Sequence, residues 1–202
     1  MGVPGLDILP DSNMLSMLSI AGTHPKGDMA ETVILLDEAG THVGTADKAT
    51  VHTASTPLHL AFSCHVLDAD GLVLVTRRAL TKRTWPGVWT NSVCGHPAPG
   101  EAMEDAVRRR ARLELGLDVT DIELVAPDFR YRATDASGVV ENEMCPIFTA
   151  RTTQAPAPHP DEVMDHRWLT PAELRTAIEA APWALSPWLV SSAALLPLLD
   201  TP

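Results

Sequence analysis

The chain has 202 residues, 45% hydrophobic and 20% charged, with a formal net charge of −11. At roughly 100–200 residues per domain this is one domain, able to hide about 70% of its unfolded surface, and the composition excludes a disordered chain. No run reaches about 18 uninterrupted apolar residues. The first twenty residues lack Lys and Arg but carry Asp7 and Asp11, and Cys64, Cys94 and Cys145 are an odd, sparse set, so a membrane span, a secretory leader and a disulfide framework are not expected and a reducing, cytoplasmic compartment is.

In chain order, residues 1–30 are rich in Gly, Pro, Ser and Met without clean periodicity and read as an irregular extension ahead of a single domain over 31–202. Residues 33–36 form a short apolar strand stopped by a turn at 37–40. Residues 58–67 and 72–76 read as two strands joined by a hairpin turn at Asp68-Ala69-Asp70-Gly71. From 101 to 115 the pattern is helical, with Ala102, Ala106 and Leu113 on one stripe, arginines on another, and Gly116 where a C-terminal cap belongs. Residues 139–149 read as strand and 154–160 as a Pro/Ala-rich surface loop. Thr170-Pro171-Ala172-Glu173 carries a capping box, and Ser186-Pro187 starts a last apolar helix. Strands with few helices, mostly in hairpins, predict an α/β (α+β) domain around a mixed sheet.

Three spacings bear on chemistry. Glu141-Asn142-Glu143 lies in a strand-like run, so its two carboxylates share a face. Such a pair is costly unless a cation lies between them or one is protonated; two solvated glutamates on an exposed face fit the triplet equally. Cys94-Gly95-His96 has the same spacing, which belongs more often to a packed thiol than to a nucleophile. His52 and His59 add two imidazoles, and with His96, Glu141 and Glu143 would make a five-ligand site. Imidazole and carboxylate without thiolate suit six-coordinate Mn²⁺ or Mg²⁺, and three imidazoles are also compatible with Zn²⁺.

The cations are unevenly spread. Eight of the 15 Lys and Arg residues fall between Arg77 and Arg112, against three carboxylates. A local basic patch on an acidic chain suits a small anionic ligand and argues against nucleic acid, whereas Arg108 and Arg112 fit a solvated helix face equally well.

The run Trp85-Pro86-Gly87-Val88-Trp89-Thr90-Asn91-Ser92-Val93-Cys94-Gly95-His96-Pro97 closely resembles the type 1 isopentenyl-diphosphate isomerases. The likeness continues through His52-Thr53-Ala54, Leu58-His59-Leu60-Ala61-Phe62, Tyr131-Arg132-Ala133-Thr134-Asp135, Glu141-Asn142-Glu143-Met144-Cys145-Pro146 and Pro182-Trp183-Ala184-Leu185-Ser186-Pro187-Trp188, about 160 residues in all. The resemblance implies a Nudix-like fold, a mixed sheet flanked by helices. Gly95, Glu101 and Arg109 keep the Nudix spacing, but Arg110 and Leu113 stand where hydrolases place metal-binding glutamates, and only Glu114 survives before Gly116. A diphosphate hydrolase needs those carboxylates at the scissile bond, so hydrolysis is the alternative the sequence disfavours; a non-catalytic diphosphate-binding module is the other.

By the same resemblance, His52, His59, His96, Glu141 and Glu143 would hold one divalent metal (Mn²⁺ or Mg²⁺, with Zn²⁺ compatible). Cys94 and Glu143 would be the acid–base pair, with Tyr131 assisting at Glu143. Glu114 would hold a second Mg²⁺ that arrives with the substrate. Lys48, Arg78, Lys82 and Arg110 would contact the diphosphate, and Trp188 would line the hydrocarbon pocket, although a core aromatic on the last helix fits it too. Trp85, Trp89, Trp168 and Trp183 are expected to pack. The implied reaction is a 1,3 proton shift converting isopentenyl diphosphate to dimethylallyl diphosphate in isoprenoid biosynthesis. A Cys94 thiolate is expected, because positive charge nearby lowers a thiol's pKa. The expected partner is a small prenyl diphosphate, with no nucleic acid or membrane, on a monomer or weak homodimer.

Overall fold

The computed structural model describes residues 31–199, so the expected extension over 1–30 and the last three residues lie outside it. Strands β1 (Thr32–Leu36) and β2 (His42–Asp47) pair as a hairpin and lead into the one-turn helix α1 (Lys48–Val51), which Asp47 caps by accepting from Ala49 N. Then come β3 (His59–Leu60), β4 (Phe62–Leu67), β5 (Val73–Arg78), β6 (Trp89–Thr90), β7 (Val93–Gly95), the long helix α2 (Met103–Leu115) and β8 (Thr120–Ala126). Strands β9 (Arg130–Thr134), β10 (Val140–Met144), β11 (Ile147–Arg151) and β12 (Val163–Leu169) follow, then helices α3 (Pro171–Ala180) and α4 (Pro187–Ser192). Where one mixed sheet was expected there are two, ordered β2-β1-β3-β10-β9 and β12-β5-β4-β11-β8.

The division has a local cause. The strand expected over 58–67 breaks at Ala61, and the one expected over 139–149 breaks at Cys145-Pro146, where proline has no N–H for the ladder. The two breaks sit side by side. Ala61 N donates to the Met144 carbonyl at 2.9 Å and Ser63 N to the Pro146 carbonyl at 3.1 Å. The parallel pair β3/β10 thus crosses into the second sheet and continues as β4/β11.

The expected turn at 68–71 is present, with Leu72 N and Asp70 N donating to Asp68 Oδ1, but the hairpin it closes zips only at Leu67↔Val73. Beyond that pair β4 and β5 diverge, and the segment 89–95 wedges between them, β6 pairing with β5 and β7 with β4. Side chains of the wedge replace the missing ladder bonds. Ser92 Oγ accepts from Val66 N at 2.7 Å and donates to the Leu74 carbonyl at 2.6 Å. This wedge carries Cys94 and ends at His96.

Period-two alternation lets the larger sheet serve two cores. Phe62, Cys64, Val66, Leu74 and Phe148 meet Ala106, Val107, Ala111 and Leu115 of α2. Val73, Val75 and Ile147 point the other way, against Leu174, Ile178, Trp188 and Leu189 of α3 and α4. Burying each large apolar side chain contributes about 1.5–3 kcal/mol. Helix α2 begins at Met103, two residues later than expected, and ends as predicted at Gly116, in the left-handed region at φ 65°. Its inner face differs from the apolar stripe read from the sequence. Leu113 is 51% exposed, while Arg110 and Glu114 turn inward as a mutual ion pair. Arg108 and Arg112 lie on the solvated side, paired with Asp105 and Asp118. The Thr170–Glu173 capping box and the Ser186 cap form as expected. Among the described residues no helix is long and apolar enough to cross a membrane.

Candidate active site

Four of the five expected ligands, His52, His59, His96 and Glu143, converge where the smaller sheet meets the wedge, and Glu141 stands beside them against His52, outside the group of mutually close donors. His52 stands at the C-terminal end of α1, held by Val140 N donating to the Thr53 carbonyl at 2.8 Å. His59 lies in β3, in register with Glu143 of β10. Glu141 and Glu143 share the inner face of β10 and both are buried, which removes the reading of two solvated glutamates. His96 follows β7, and its carbonyl accepts from Arg109 Nη2 at 3.0 Å. Arg109 in turn grips both oxygens of Glu101 at 2.7 Å, so the Glu101–Arg109 pair anchors the loop that presents His96.

The polar atoms face a common point. His52 Nε2 lies 3.2 Å from Glu141 Oε2, and Glu143 Oε1 lies 3.3 Å from Nε2 of both His59 and His96. Despite those distances, His52 Nε2, His59 Nε2 and Glu141 Oε2 have no aligned hydrogen-bond partner. The donor atoms of His52, His59, His96 and Glu143 all lie within 4.8 Å of one another. Adjacent ligands on an octahedral ion with bonds of about 2.1 Å are separated by roughly 3 Å, so this spacing fits a divalent cation at the centre. His59 Nδ1 meets the Pro57 carbonyl at 2.9 Å. A carbonyl only accepts, so Nδ1 carries a proton; a neutral ring then turns its Nε2 lone pair inward, and a protonated one donates to Glu143.

The two carboxylates are driven apart electrostatically. Burial and the charge of Glu143 push Glu141 above its ordinary range. Burial acts on Glu143 too, but His59 and His96 overrule it and hold Glu143 well below the carboxylate range. His96 itself is pushed down to about 4 by burial.

A cavity beside this cluster is lined by Cys94, Tyr131, Glu141, Glu143, His52, His96 and Trp188, with Arg78 against Trp188, and also by Lys48, Lys82, Arg110, Glu114 and Glu162. Tyr131 sits across the ladder from Glu143 and donates its hydroxyl to Oε2 at 2.8 Å. Trp188 is 3% exposed, and serves both the core and the cavity wall. The Arg78 guanidinium lies 5.4 Å from its ring centre, with Tyr131 and Trp85 against it. Of the other tryptophans, Trp85, Trp89 and Trp168 pack, but Trp183 is 84% exposed and does not. Burial pushes the Cys94 thiol up to about 12 and the charge of Glu143 adds to this, while Asn91, Ser63 and Arg78 oppose it.

Every lysine and arginine of the cavity lining is already engaged. Lys48 pairs with Glu31, Lys82 with Glu162, and Arg110 with Glu31, Glu114 and Glu162. Arg78 donates to the carbonyls of Thr84 and Trp85. Arg110 passes close under Gly95, where a Cβ would come within 2.7 Å of the Arg110 Cγ; glycine at this position admits the arginine stem between β7 and α2. Sequence reasoning missed Glu31 and Glu162. A carboxylate in an apparently irregular stretch carries no local sign that it will meet a cation about 80 residues away, and Glu31 reaches Arg110 across 79 positions.

The NUDIX domain family matches residues 57–189. A relative from Agromyces mediolanus named isopentenyl-diphosphate Delta-isomerase is 68% identical over 170 residues, 84% of this chain and 82% of that protein. One of the same name from Mycolicibacterium vanbaalenii is 57% identical over 176 residues, 87% of this chain and 95% of that one. Among solved structures, a Deinococcus radiodurans protein matches with TM-score 0.63 at 21% identity, covering 81% of this chain and 98% of its own. The MutT protein of Methanosarcina mazei Go1 matches with TM-score 0.54 at 17% identity, covering 68% and 91%. At these identities the solved structures bear on the fold alone.

Proposed function

The chain belongs to the isopentenyl-diphosphate Delta-isomerases, a family with the NUDIX domain, and from that premise we propose that it interconverts isopentenyl and dimethylallyl diphosphate by allylic proton transfer in this cavity. The observation that supports the reading most is the lining of one cavity by Cys94, Glu143, Tyr131 and Trp188 together with the four cations Lys48, Arg78, Lys82 and Arg110.

An unactivated alkene must be protonated at one carbon and then lose a proton from another, passing through a tertiary carbocation. The reaction therefore needs one acid and one base. Cys94 and Glu143 fill these roles, and because the reaction is reversible each is the acid in one direction and the base in the other. Tyr131 donates its hydroxyl to Glu143 Oε2 and steadies the carboxylate. The buried indole of Trp188 excludes water from the cation and contributes about 0.5–2 kcal/mol of cation–π stabilisation.

His52, His59, His96, Glu141 and Glu143 would hold a divalent ion, Mn²⁺ or Mg²⁺ on the chemistry of the set. When bound it neutralises the paired carboxylates and makes a proton on Glu143 more acidic. Glu114 would hold a second Mg²⁺ carried by the substrate. Lys48, Arg78, Lys82 and Arg110 anchor the diphosphate, so binding energy at the non-reacting part of the substrate orients the hydrocarbon. For the diphosphate to gain these cations, Glu31 and Glu162 must release them or share them.

The test is an acid-lability assay, since allylic diphosphates decompose in acid and homoallylic ones survive it. Metal-loaded protein should convert isopentenyl diphosphate to acid-labile product without releasing phosphate. Phosphate release in place of acid-labile product would overturn the reading.

A further inference from the structure

Asn91, at the bend between β6 and β7, is 1% exposed and fully engaged. Its Nδ2 donates to the carbonyls of Cys64 at 3.2 Å and Val93 at 2.9 Å. Its Oδ1 accepts from Trp188 Nε1 at 2.9 Å, Thr90 Oγ1 at 2.8 Å and Cys94 Sγ at 3.2 Å. The orientation of the amide is forced. An indole N–H can only donate and backbone carbonyls can only accept, so exchanging oxygen and nitrogen would set like groups against each other on both sides. One amide oxygen therefore joins the thiol to an indole from a helix 97 residues away.

We propose that Asn91 is a positioning residue for the isomerisation, holding the Cys94 sulfur and the Trp188 ring in a fixed relation across the cavity. Proton transfer to or from an alkene gives such a residue unusual importance. A carbon atom offers no hydrogen bond to draw the thiol into line, so alignment must come entirely from the protein. Cys94 has one further polar contact, the Ser63 hydroxyl at 3.8 Å, too long to orient it firmly. Trp188 has the same need, since its cation–π and water-excluding roles depend on ring orientation and the Asn91 bond is the one polar tether of its indole nitrogen among the described residues.

The inference rests on the isomerase reading, and its test separates the two. Asn91→Ala removes both the amide donors and the oxygen. Asn91→Asp loses the donors but keeps an acceptor for the indole and the thiol. A role confined to tying strands together predicts equal damage from both substitutions. Positioning through Oδ1 predicts that Asn91→Ala lowers kcat about 10–100-fold, with KM for isopentenyl diphosphate within about threefold and bound metal unchanged. It also predicts that Asn91→Asp keeps kcat at least about fivefold above the alanine variant. The indole ¹H–¹⁵N resonance of Trp188, assigned through Trp188→Phe, should move upfield in Asn91→Ala and stay near its wild-type position in Asn91→Asp. Equal loss in both variants, an unmoved indole resonance in Asn91→Ala, or a kcat within twofold of wild type would overturn the proposal. If Asn91→Ala does not fold, Asn91→Asp against wild type decides, and a displaced indole resonance with a more than tenfold loss of kcat overturns it. If wild-type protein fails to isomerise, the functional reading falls, while the indole resonance still reports whether Asn91 holds Trp188.

Discussion

Tyr131 and Glu143 face each other across the β9–β10 ladder, and the phenol donates to the carboxylate at 2.8 Å. The phenol is buried, and its pKa is pushed well above the usual value by burial first and by the charge of Glu143 next. It therefore stays protonated and holds Glu143 still by donating to Oε2. A hydrogen bond to a charged group contributes about 1.5–3 kcal/mol. Tyr131→Phe should accordingly lower kcat about 10–150-fold, with bound metal and KM little changed. Steady-state kinetics with metal analysis checks this, and a phenylalanine variant as fast as wild type would remove Tyr131 from the mechanism.

Cys94 and Glu143 should separate chemistry from metal binding. Cys94→Ala is expected to lower turnover by about a thousandfold or more while keeping a full complement of metal. Glu143→Gln should lose both activity and metal, because Glu143 Oε1 approaches two imidazoles of the cluster. Elemental analysis beside kinetics distinguishes them; a Cys94→Ala variant with normal turnover contradicts the assigned acid–base pair.

Arg110 is 3% exposed and serves three carboxylates at once. Removing one partner of a buried ion pair costs about 3–5 kcal/mol. In a chain of this size each kcal/mol shifts Tm by about 2–4 °C. Arg110→Leu should thus melt about 10 °C lower by calorimetry, and a Tm within about 2 °C of wild type would show that its carboxylates find other partners.

His65 lies in β4 with no exposure, and among the described residues neither ring nitrogen has a hydrogen-bond partner. Burial pushes its pKa down to about 4, against about 6.5 in an unfolded chain. Between those values the unfolded state binds the extra proton, so stability is full above pH 6.5 and falls as pH drops toward 4. His65→Leu should flatten that acid limb. Urea unfolding of both proteins at pH 7.5, 5.5 and 4.5 measures it, and parallel pH curves would contradict the assignment.

The parts of this fold set by local rules were legible in the sequence. The Gly116 cap, the Thr170–Glu173 capping box, the Asp68 turn and the shared face of Glu141 and Glu143 depend only on neighbours a few residues apart. The resemblance supplied the convergence of His52, His59 and His96, which spacing alone could not. Three features stayed hidden because they depend on long-range topology. The division into two sheets needs Ala61 beside Cys145-Pro146. Arg110 reads as one of a stripe of arginines and, by the resemblance, as a diphosphate contact, and its burial among Glu31, Glu114 and Glu162 has no local sign. Asn91 resembles any turn asparagine until Trp188 returns to it from the last helix.

The most direct measurement is proton NMR of isopentenyl diphosphate incubated in D₂O with protein supplied with Mg²⁺ and Mn²⁺. Acid–base transfer at Cys94 and Glu143 predicts dimethylallyl methyl signals carrying solvent deuterium and no inorganic phosphate or diphosphate. Release of phosphate without new methyl signals, or dimethylallyl product free of deuterium, would contradict the account.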